Sequence, residues 1–481
     1  MKKVLLVLCL LVFTDKIFAQ QFSQYNTGSL YDSFENPSQR AFTPDTSKKY
    51  ATNYLFPNLN FNVFLTGDAQ ASLKSRLLLN KYDNAKLVIN QGRYNTAIFN
   101  ANAYLIMFKV FTSLTGDEEM GFSWQLKGEG KGSLTDESIA TFNGTGSFVS
   151  GNPYTNIFND NYYYQTYHQV SFTYREKFNN QFAFGVKLSA LLGIQYQKLD
   201  ITNSSAVYDS ENDTVGVGLK GKYYQSYVPG HFLPRRDYLP TLRNPGAAIS
   251  IGTTYRTEDN FVIQGNLKDL GFIHWSSRSN VYNFDNTTVV HGLSTPARED
   301  SIYNKVYEIL RGGTAATGSF TSSIDGRLEL AVNKSYWLDD DRMFKYSPTA
   351  IASKELFSPG FIIALTNPFQ YEKYVFTLTT SYDDLKILSL GAQLMAKTAN
   401  WEFYIGSDKL AQTASLIAEA ANKGSSAINQ NSAYTGGDIF VGFSMKFGPV
   451  IEHPMNASVI PTGEKGFLAR LWARLFKTTN Q

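Results

Sequence analysis

The sequence predicts an all-β fold, a single transmembrane antiparallel β-barrel. Three observations predict it. Aromatic residues make up 15% of the 481 residues and charged residues 18%, below the roughly 25% usual for soluble domains, so many rings must be hidden by something other than a soluble core. Segments alternating apolar with polar residues recur from Leu59 to Phe447 with no linker or internal repeat, too long a run for one sandwich. After the first twenty residues no uncharged apolar stretch of about 18 residues occurs, which excludes a transmembrane helix. Length alone would suggest two to four domains. High apolar content excludes disorder, and a single cysteine, Cys9, excludes a disulfide framework.

The elements follow in chain order. Lys2 and Lys3 precede the apolar run Val4 to Phe13, which Asp15 and Lys16 cut short; Ile17-Phe18-Ala19 then ends in a small residue. That layout is a secretory signal peptide over residues 1–19, cleaved near Ala19. Cys9 leaves with it, and the remaining chain is close to neutral, with no basic concentration to recruit nucleic acid. Residues 20–57 are polar with no helix or strand period and form an N-terminal plug- or hatch-like luminal segment.

Residues 58–447 form the barrel. Leu59 to Leu65, Phe122 to Leu126, Val170 to Tyr174, Phe182 to Leu188, Ala248 to Arg256 and Phe261 to Leu267 read as strands. So do Arg327 to Val332, Tyr374 to Tyr382, Ile387 to Ala396, Trp401 to Gly406 and Ile439 to Phe447. Short polar turns at Arg175–Gln181, Thr257–Asn260, Asp383-Asp384 and Lys397–Asn400 join several of them, which gives an antiparallel meander. A secreted sandwich would also alternate. Aromatic girdles favour the barrel: Tyr162-Tyr163-Tyr164, Tyr223-Tyr224, Tyr371 and Tyr374 crowd strand ends, where a ring suits a lipid–water boundary. Asn, Gln, Thr, Ser and Lys at the alternate positions suit a hydrated lumen. Helices are expected in two connections, Asp300–Leu310 and Ala411–Lys423, the second capped by Asp408 and stopped by Gly424. With the last strand running toward the periplasm, the Ser407–Gly436 connection faces outward. This parity also places the tight Asp383-Asp384 turn outside, where long loops are the norm.

Residues 448–481 form a periplasmic tail. Phe467, Leu468, Leu471, Trp472, Leu475 and Phe476 fall on one helical stripe opposite Arg470, Arg474 and Lys477. This is a cationic amphipathic helix suited either to a lipid interface or to a protein surface.

Two resemblances extend this reading. Gly442, Met445 and Phe447 resemble the terminal-strand signal that barrel-assembly machinery reads in outer-membrane proteins, although residues follow Phe447 here. Asn244-Pro245-Gly246, the strand pair to Leu267, and then Asp269-Leu270-Gly271-Phe272-Ile273-His274-Trp275 resemble an uncharacterised group of Bacteroidota outer-membrane β-barrel proteins, FadL-like and PorV-like. Asn36-Pro37-Ser38, where that group has Asn-Pro-Ala, and Phe403–Asp408 agree with it. The likeness implies about 14 strands, an N-terminal segment in or under the barrel, and a location in the bacterial outer membrane. It implies no activity.

No catalytic, metal or cofactor site is expected. The five histidines, His168, His231, His274, His291 and His453, show no ligand spacing. Gly128–Ser133 lacks the gap of a phosphate loop and reads as a hairpin turn. His168 and Ser171 lie three apart on a strand and so on opposite faces, where they cannot act as base and nucleophile. Asp339-Asp340-Asp341 reads as a solvated turn. The FadL-like side of the resemblance and the polar N-terminal segment with no helix or strand period rank a channel or transporter for a hydrophobic or amphipathic small molecule of unknown identity first. The alternative is a non-transporting accessory subunit of an outer-membrane secretion or assembly complex, with adhesion a weaker third. Partners are outer-membrane lipid and other outer-membrane or periplasmic proteins met through the tail or loops, with no nucleic acid.

Overall fold

The computed structural model describes residues 22–112, 117–226, 238–312, 314–358, 360–422 and 434–453. Fourteen antiparallel strands close on themselves. In chain order they are β1 (Lys48–Thr52 and Asn58–Thr66), β2 (Tyr94–Phe111), β3 (Glu118–Thr135), β4 (Asn161–Lys177) and β5 (Phe182–Asp209). Three strands then run in pieces: β6 (Thr214–Gln225 and Pro245–Arg256), β7 (Phe261–Trp275 and Asn280–His291) and β8 (Thr314–Thr317, Phe320–Ser323 and Arg327–Lys334). The series ends with β9 (Thr349–Glu355), β10 (Phe361–Tyr371), β11 (Tyr374–Asp383), β12 (Leu388–Lys397), β13 (Trp401–Ser407) and β14 (Tyr434–Val450). Both pieces of β1 pair with β14 on one side and β2 on the other, which closes the ring. The wall therefore runs from Lys48 to Val450, not from 58 to 447. Lys48–Thr52 carries no period-two pattern to announce it.

The wall is inside-out relative to a soluble protein. Along β8, Leu328, Leu330 and Val332 are exposed while Glu329 and Asn333 are buried. On β13, Trp401, Phe403 and Ile405 face out and Glu402 and Tyr404 face in; on β12, Leu388, Leu390 and Leu394 face out and Ser389 and Gln393 face in. Leaving one such apolar side chain in water rather than burying it costs about 1.5–3 kcal/mol, so this wall needs an apolar solvent around it. In a bilayer, closure also leaves no strand edge unpaired.

The two rims differ. At one, most connections are short, Phe178–Gln181, Thr257–Asn260, Glu372-Lys373 and Thr398–Asn400, and the longer Ser335–Pro348 folds back as a small hairpin. At the other lie α-helices Ala69–Leu79, Asp136–Thr141, Arg298–Gly312 and Leu410–Asn422, the last two within two residues of their expected bounds. The Asp383–Leu388 turn sits on this long-looped rim and is still tight, held by Ile387 N–H donating to Asp383 Oδ1 at 3.1 Å. Above this rim β5 to β8 continue as a tall extension. The first part of β5 pairs with Pro245–Arg256 and the rest with Thr214–Gln225. Tyr208, Phe148, Val217, Tyr223 and Phe284 form its core, against Ile302 and Ile309 of the helix Arg298–Gly312. Tyr223 is thus buried beside Tyr282 and is not a girdle residue. Tyr371, Tyr374, Tyr382 and Trp401 are exposed at the rims, as a girdle requires.

Gly128–Ser133 is not a turn: it lies within β3, paired with β4. Its glycines alternate with Glu129 and Lys131, both buried, and a Cβ on Gly128 or Gly130 would press on Phe99 or Tyr164 at 3.2–3.3 Å. Rings take the outer face in place of side chains, which hides the strand period from the sequence.

Candidate functional site: the polar lumen and the segment it holds

The inward face of the wall carries charge. Lys109, Lys131, Lys187, Glu119, Glu329 and Glu402 are among its buried residues. Bare charges at such positions would cost several kcal/mol each, so each is paired. Lys109 meets Glu119 at 3.2 Å, Lys446 meets Glu402 at 3.0 Å, and Lys131 pairs with Glu355. Asp269 gathers the largest share. Lys127 and Lys187 pair with it, and Gln169 Nε2 donates to its Oδ1 at 2.9 Å. Asp269 sits at a bulge between Leu267 and Leu270 with φ of 49°, a left-handed conformation that Asp tolerates better than most residues.

Against this face lies the segment from Phe22 to Ser47. It consists of a 3-10 turn, Phe22–Gln24, and a short helix, Leu30–Glu35, whose N-terminus Ser29 caps by accepting from Asp32 N–H at 3.1 Å. Wall side chains hold its main chain. Lys397 Nζ donates to the carbonyls of Thr27 and Gly28 at 2.6 and 2.7 Å, Arg175 Nε to Ser38 at 2.8 Å, and Lys446 Nζ to Ala41 at 2.7 Å. Carboxylates take the amides: Asp408 accepts from Phe22 at 2.7 Å, Glu402 from Leu30 at 3.0 Å, and Glu119 from Ala41 at 3.0 Å. Glu35 pairs with Lys268 and accepts from Tyr104 Oη at 2.6 Å. Burial works to raise Glu35, but Lys268, Lys187 and Lys127 outweigh it and hold the group at about 2. Asp32 behaves oppositely: burial pushes it up to about 7 although the Gly28 amide and Lys397 oppose the shift.

Between segment and wall lies a cavity of about 60 Å³ lined by Tyr31, Glu35, Asn102, Lys127, Asp269 and Arg327 among others. It has room for water but falls far below the roughly 300 Å³ or more of a ligand pocket. Apolar residues cluster among these charges: Phe34, Phe42, Tyr104, Met107 and Phe440 belong to one group, and Phe22, Phe64, Ile351, Ile362 and Tyr434 to another.

The residues singled out from sequence fall as follows. Each of the three family-like motifs puts a residue into the lumen: Asn36-Pro37-Ser38 is in the held segment, Asp269 is the charge hub, and Asp408 anchors Phe22. In the 269–275 motif, a Cβ on Gly271 would lie 2.4 Å from that of Ala248, and buried Trp275 donates through Nε1 to Ser322 Oγ at 2.8 Å, whereas Leu270 and Phe272 face outward. Ile273 is fully buried. Gly442, Met445 and Phe447 lie in β14. Gly442 faces inward, where a Cβ would meet the Tyr404 ring at 2.4 Å; Phe447 faces outward beside Tyr50. Phe467, Leu468, Arg470, Leu471, Trp472, Arg474, Leu475 and Phe476, like the leader, lie outside the described residues. His168 and Ser171 face opposite ways. Trp124 Nε1 donates to His168 Nδ1 at 3.2 Å on the outer side, and Ser171 bonds Ser189 on the inner side. The wall cations Lys109, Arg175, Lys397 and Lys446 were not singled out; their signal is a lone charge on the polar face of a strand whose other face is apolar.

The profile of a protein family described as a family of unknown function, DUF5723, matches residues 33–408. No curated protein matches the chain. Among solved structures, the Ralstonia pickettii toluene transporter TbuX is 11% identical, covering 87% of this chain and 94% of its own, with a TM-score of 0.42. The P. putida toluene transporter TodX is 8% identical over 88% and 95%, with a TM-score of 0.41. A Pseudomonas aeruginosa FadL homologue is 11% identical over 89% and 96%, with a TM-score of 0.39. The barrel itself is established by its strand pairings, not by these alignments.

Proposed function

The chain belongs to the family of unknown function DUF5723, and from that premise we propose that it is an outer-membrane β-barrel acting as a gated channel or transporter for a small hydrophobic or amphipathic molecule. Its own N-terminal segment closes it at rest. One observation carries this reading: among the described residues the segment is continuous with the wall only at Lys48, and wall side chains hold its main chain by hydrogen bonds and ion pairs that water can replace, beside the apolar packing of Leu30, Tyr31, Phe34 and Phe42. The two apolar clusters interleaved with the charges of the lumen favour a solute with an apolar body over an ordinary sugar or ion. Export by the leader over residues 1–19 and the apolar outer wall support the outer-membrane location.

The test is permeability. Proteoliposomes containing the chain lacking residues 22–47 are expected to swell in small solutes, and to take up an apolar probe, well above those containing the full chain. Equal rates would sink the gating idea.

A specific observation also favours the accessory-subunit reading. The tall extension built by β5 to β8 adds a cored structure beyond the wall that a simple pore does not need. Purification in mild detergent decides it: a stoichiometric outer-membrane or periplasmic partner supports that reading, and a protein that purifies alone removes it.

A further inference from the structure

The way the wall meets residues 34–42 says more than that the lumen is filled. Gly185 on β5 and Gly252 on β6 are cross-strand partners, and both present their Cα atoms to the lumen. A Cβ on Gly185 would lie 2.0 Å from the carbonyl oxygen of Pro37, and one on Gly252 would lie 2.3 Å from Asn36 Oδ1 and 2.8 Å from Ser38 N. A third inward glycine, Gly121, would bring a Cβ to 2.9 Å from the Phe34 ring. Strand interiors disfavour glycine unless another backbone must approach closely. Here one does. Around this flat patch the polar groups are aimed at main chain: buried Arg175 at the Ser38 carbonyl, buried Glu119 at the amides of Ala41 and Phe42, and buried Lys109 at the Ser33 carbonyl. Thr254 meets Ser38 Oγ at 2.8 Å.

We propose that this inner wall is a binding site for a polypeptide main chain carrying an Asn-Pro turn, and that residues 22–42 are its detachable ligand, bound in cis. The inference rests on the reading of residues 22–47 as a gate, and it goes further by naming the latch and the chemistry it recognises. Leu30, Tyr31, Phe34 and Phe42 also pack into an apolar cluster with the wall, but packing alone does not call for a glycine floor with donors and acceptors aimed at carbonyls and amides, so a separate copy of the same peptide has both sets of contacts with which to bind.

Severing the tether tests this in the whole protein. A specific protease site inserted between Thr43 and Pro44, in an exposed stretch, is cut after refolding into detergent, and a fluorescent synthetic peptide of residues 20–43 is added. Saturable one-to-one uptake, competed by unlabelled peptide, is expected. No uptake overturns the proposal, whether the cut fragment never leaves or leaves without return. On the wall side, Gly252→Val is expected to lower uptake at least tenfold while keeping heat-modifiable migration. Because that variant can fail to fold, the change is also placed on the peptide. A Ser38→Leu peptide, whose new side chain meets Thr254, is expected to bind at least tenfold more weakly, and equal binding overturns the assigned latch. No solute flux is read, so a barrel that passes nothing would remove the transport reading and leave this one intact.

Discussion

At the residue scale, the lumen trades solvation for pairing, and Asp269 is where most is at stake. Removing one member of a buried ion pair leaves the other charge uncompensated, which costs about 3–5 kcal/mol. Asp269→Ala strands Lys127 and Lys187 together, so a loss at the upper end of that range is expected in denaturant unfolding followed by tryptophan fluorescence. Asp269→Asn should lose less, because asparagine suits the same left-handed backbone and keeps an acceptor for Gln169 and Ser250. Equal losses would show that charge alone decides. Asp32 supplies a pH prediction of definite sign. Burial raises its folded value to about 7, whereas an unfolded or released Asp titrates near 4. Seating is therefore favoured fully below about pH 4 and weakens as pH rises through about 7. Asp408, which holds Phe22, is shifted the same way, to about 7, by burial and by Asp438 beside it. Open-channel conductance in planar bilayers should increase from pH 5 to 8, and Asp32→Asn should flatten part of that rise. A slope unchanged by the variant would remove Asp32 from the gate.

At the scale of elements, what the sequence made legible depended on whether a strand kept one parity. β13 and β14 hold theirs, with Trp401, Phe403 and Ile405 or Ile439, Val441 and Phe443 all outward, and alternation marks them at once. β2 does not: a bulge between Tyr104 and Ile106 shifts its register, so Leu105 to Phe108 reads as an unbroken apolar run with no face. The upper part of β5, its partner Thr214–Gln225 and the next piece, Asn280–His291, escaped for a different reason. They are buried by a helix on one side and solvated on the other, which no lipid-facing pattern describes. Of the candidate site, the motif residues were visible as a resemblance, but their common place in one lumen was not, because Asn36, Asp269 and Asp408 each contact different partners and share an interior only once the ring closes. The extension carries its own prediction. Ile309 packs in its core, and truncating a buried Ile to Ala costs about 2–5 kcal/mol. Since local opening energies differ between units of a fold, Ile309→Ala should speed amide exchange across 214–225 and 280–291 and spare 361–397. Uniform acceleration would mean that extension and barrel open as one.

For the whole molecule, strand lengths fix how it can sit in a bilayer. β11 and β12 have 10 residues each, roughly 33 Å of extended chain; tilted about 40°, they just cross an apolar band about 25 Å tall. β5 has 28 residues, roughly 90 Å at the same rise, far more than any tilt can hide. Its upper part must stand clear of lipid, and it does so on the rim with the long connections, where Lys220 and Asp285 form an exposed ion pair across the sheet. Charged pairs belong in water and not in hydrocarbon, so this rim is at a membrane surface with the extension beyond it. On the proposed export through residues 1–19, the chain would reach the outer membrane from the periplasm, and the short-turn rim, where the last strand ends at Val450, is the one that need not cross. The tall rim should therefore face the cell exterior. An epitope inserted after Glu211, in the turn at the top of β5, is expected to be stained on intact cells. The same epitope after Asp340, in the exposed turn at the opposite rim, should stain only once the outer membrane is permeabilised. The reverse pattern would invert the molecule, and staining of both sites on intact cells would mean that the wall does not separate two compartments.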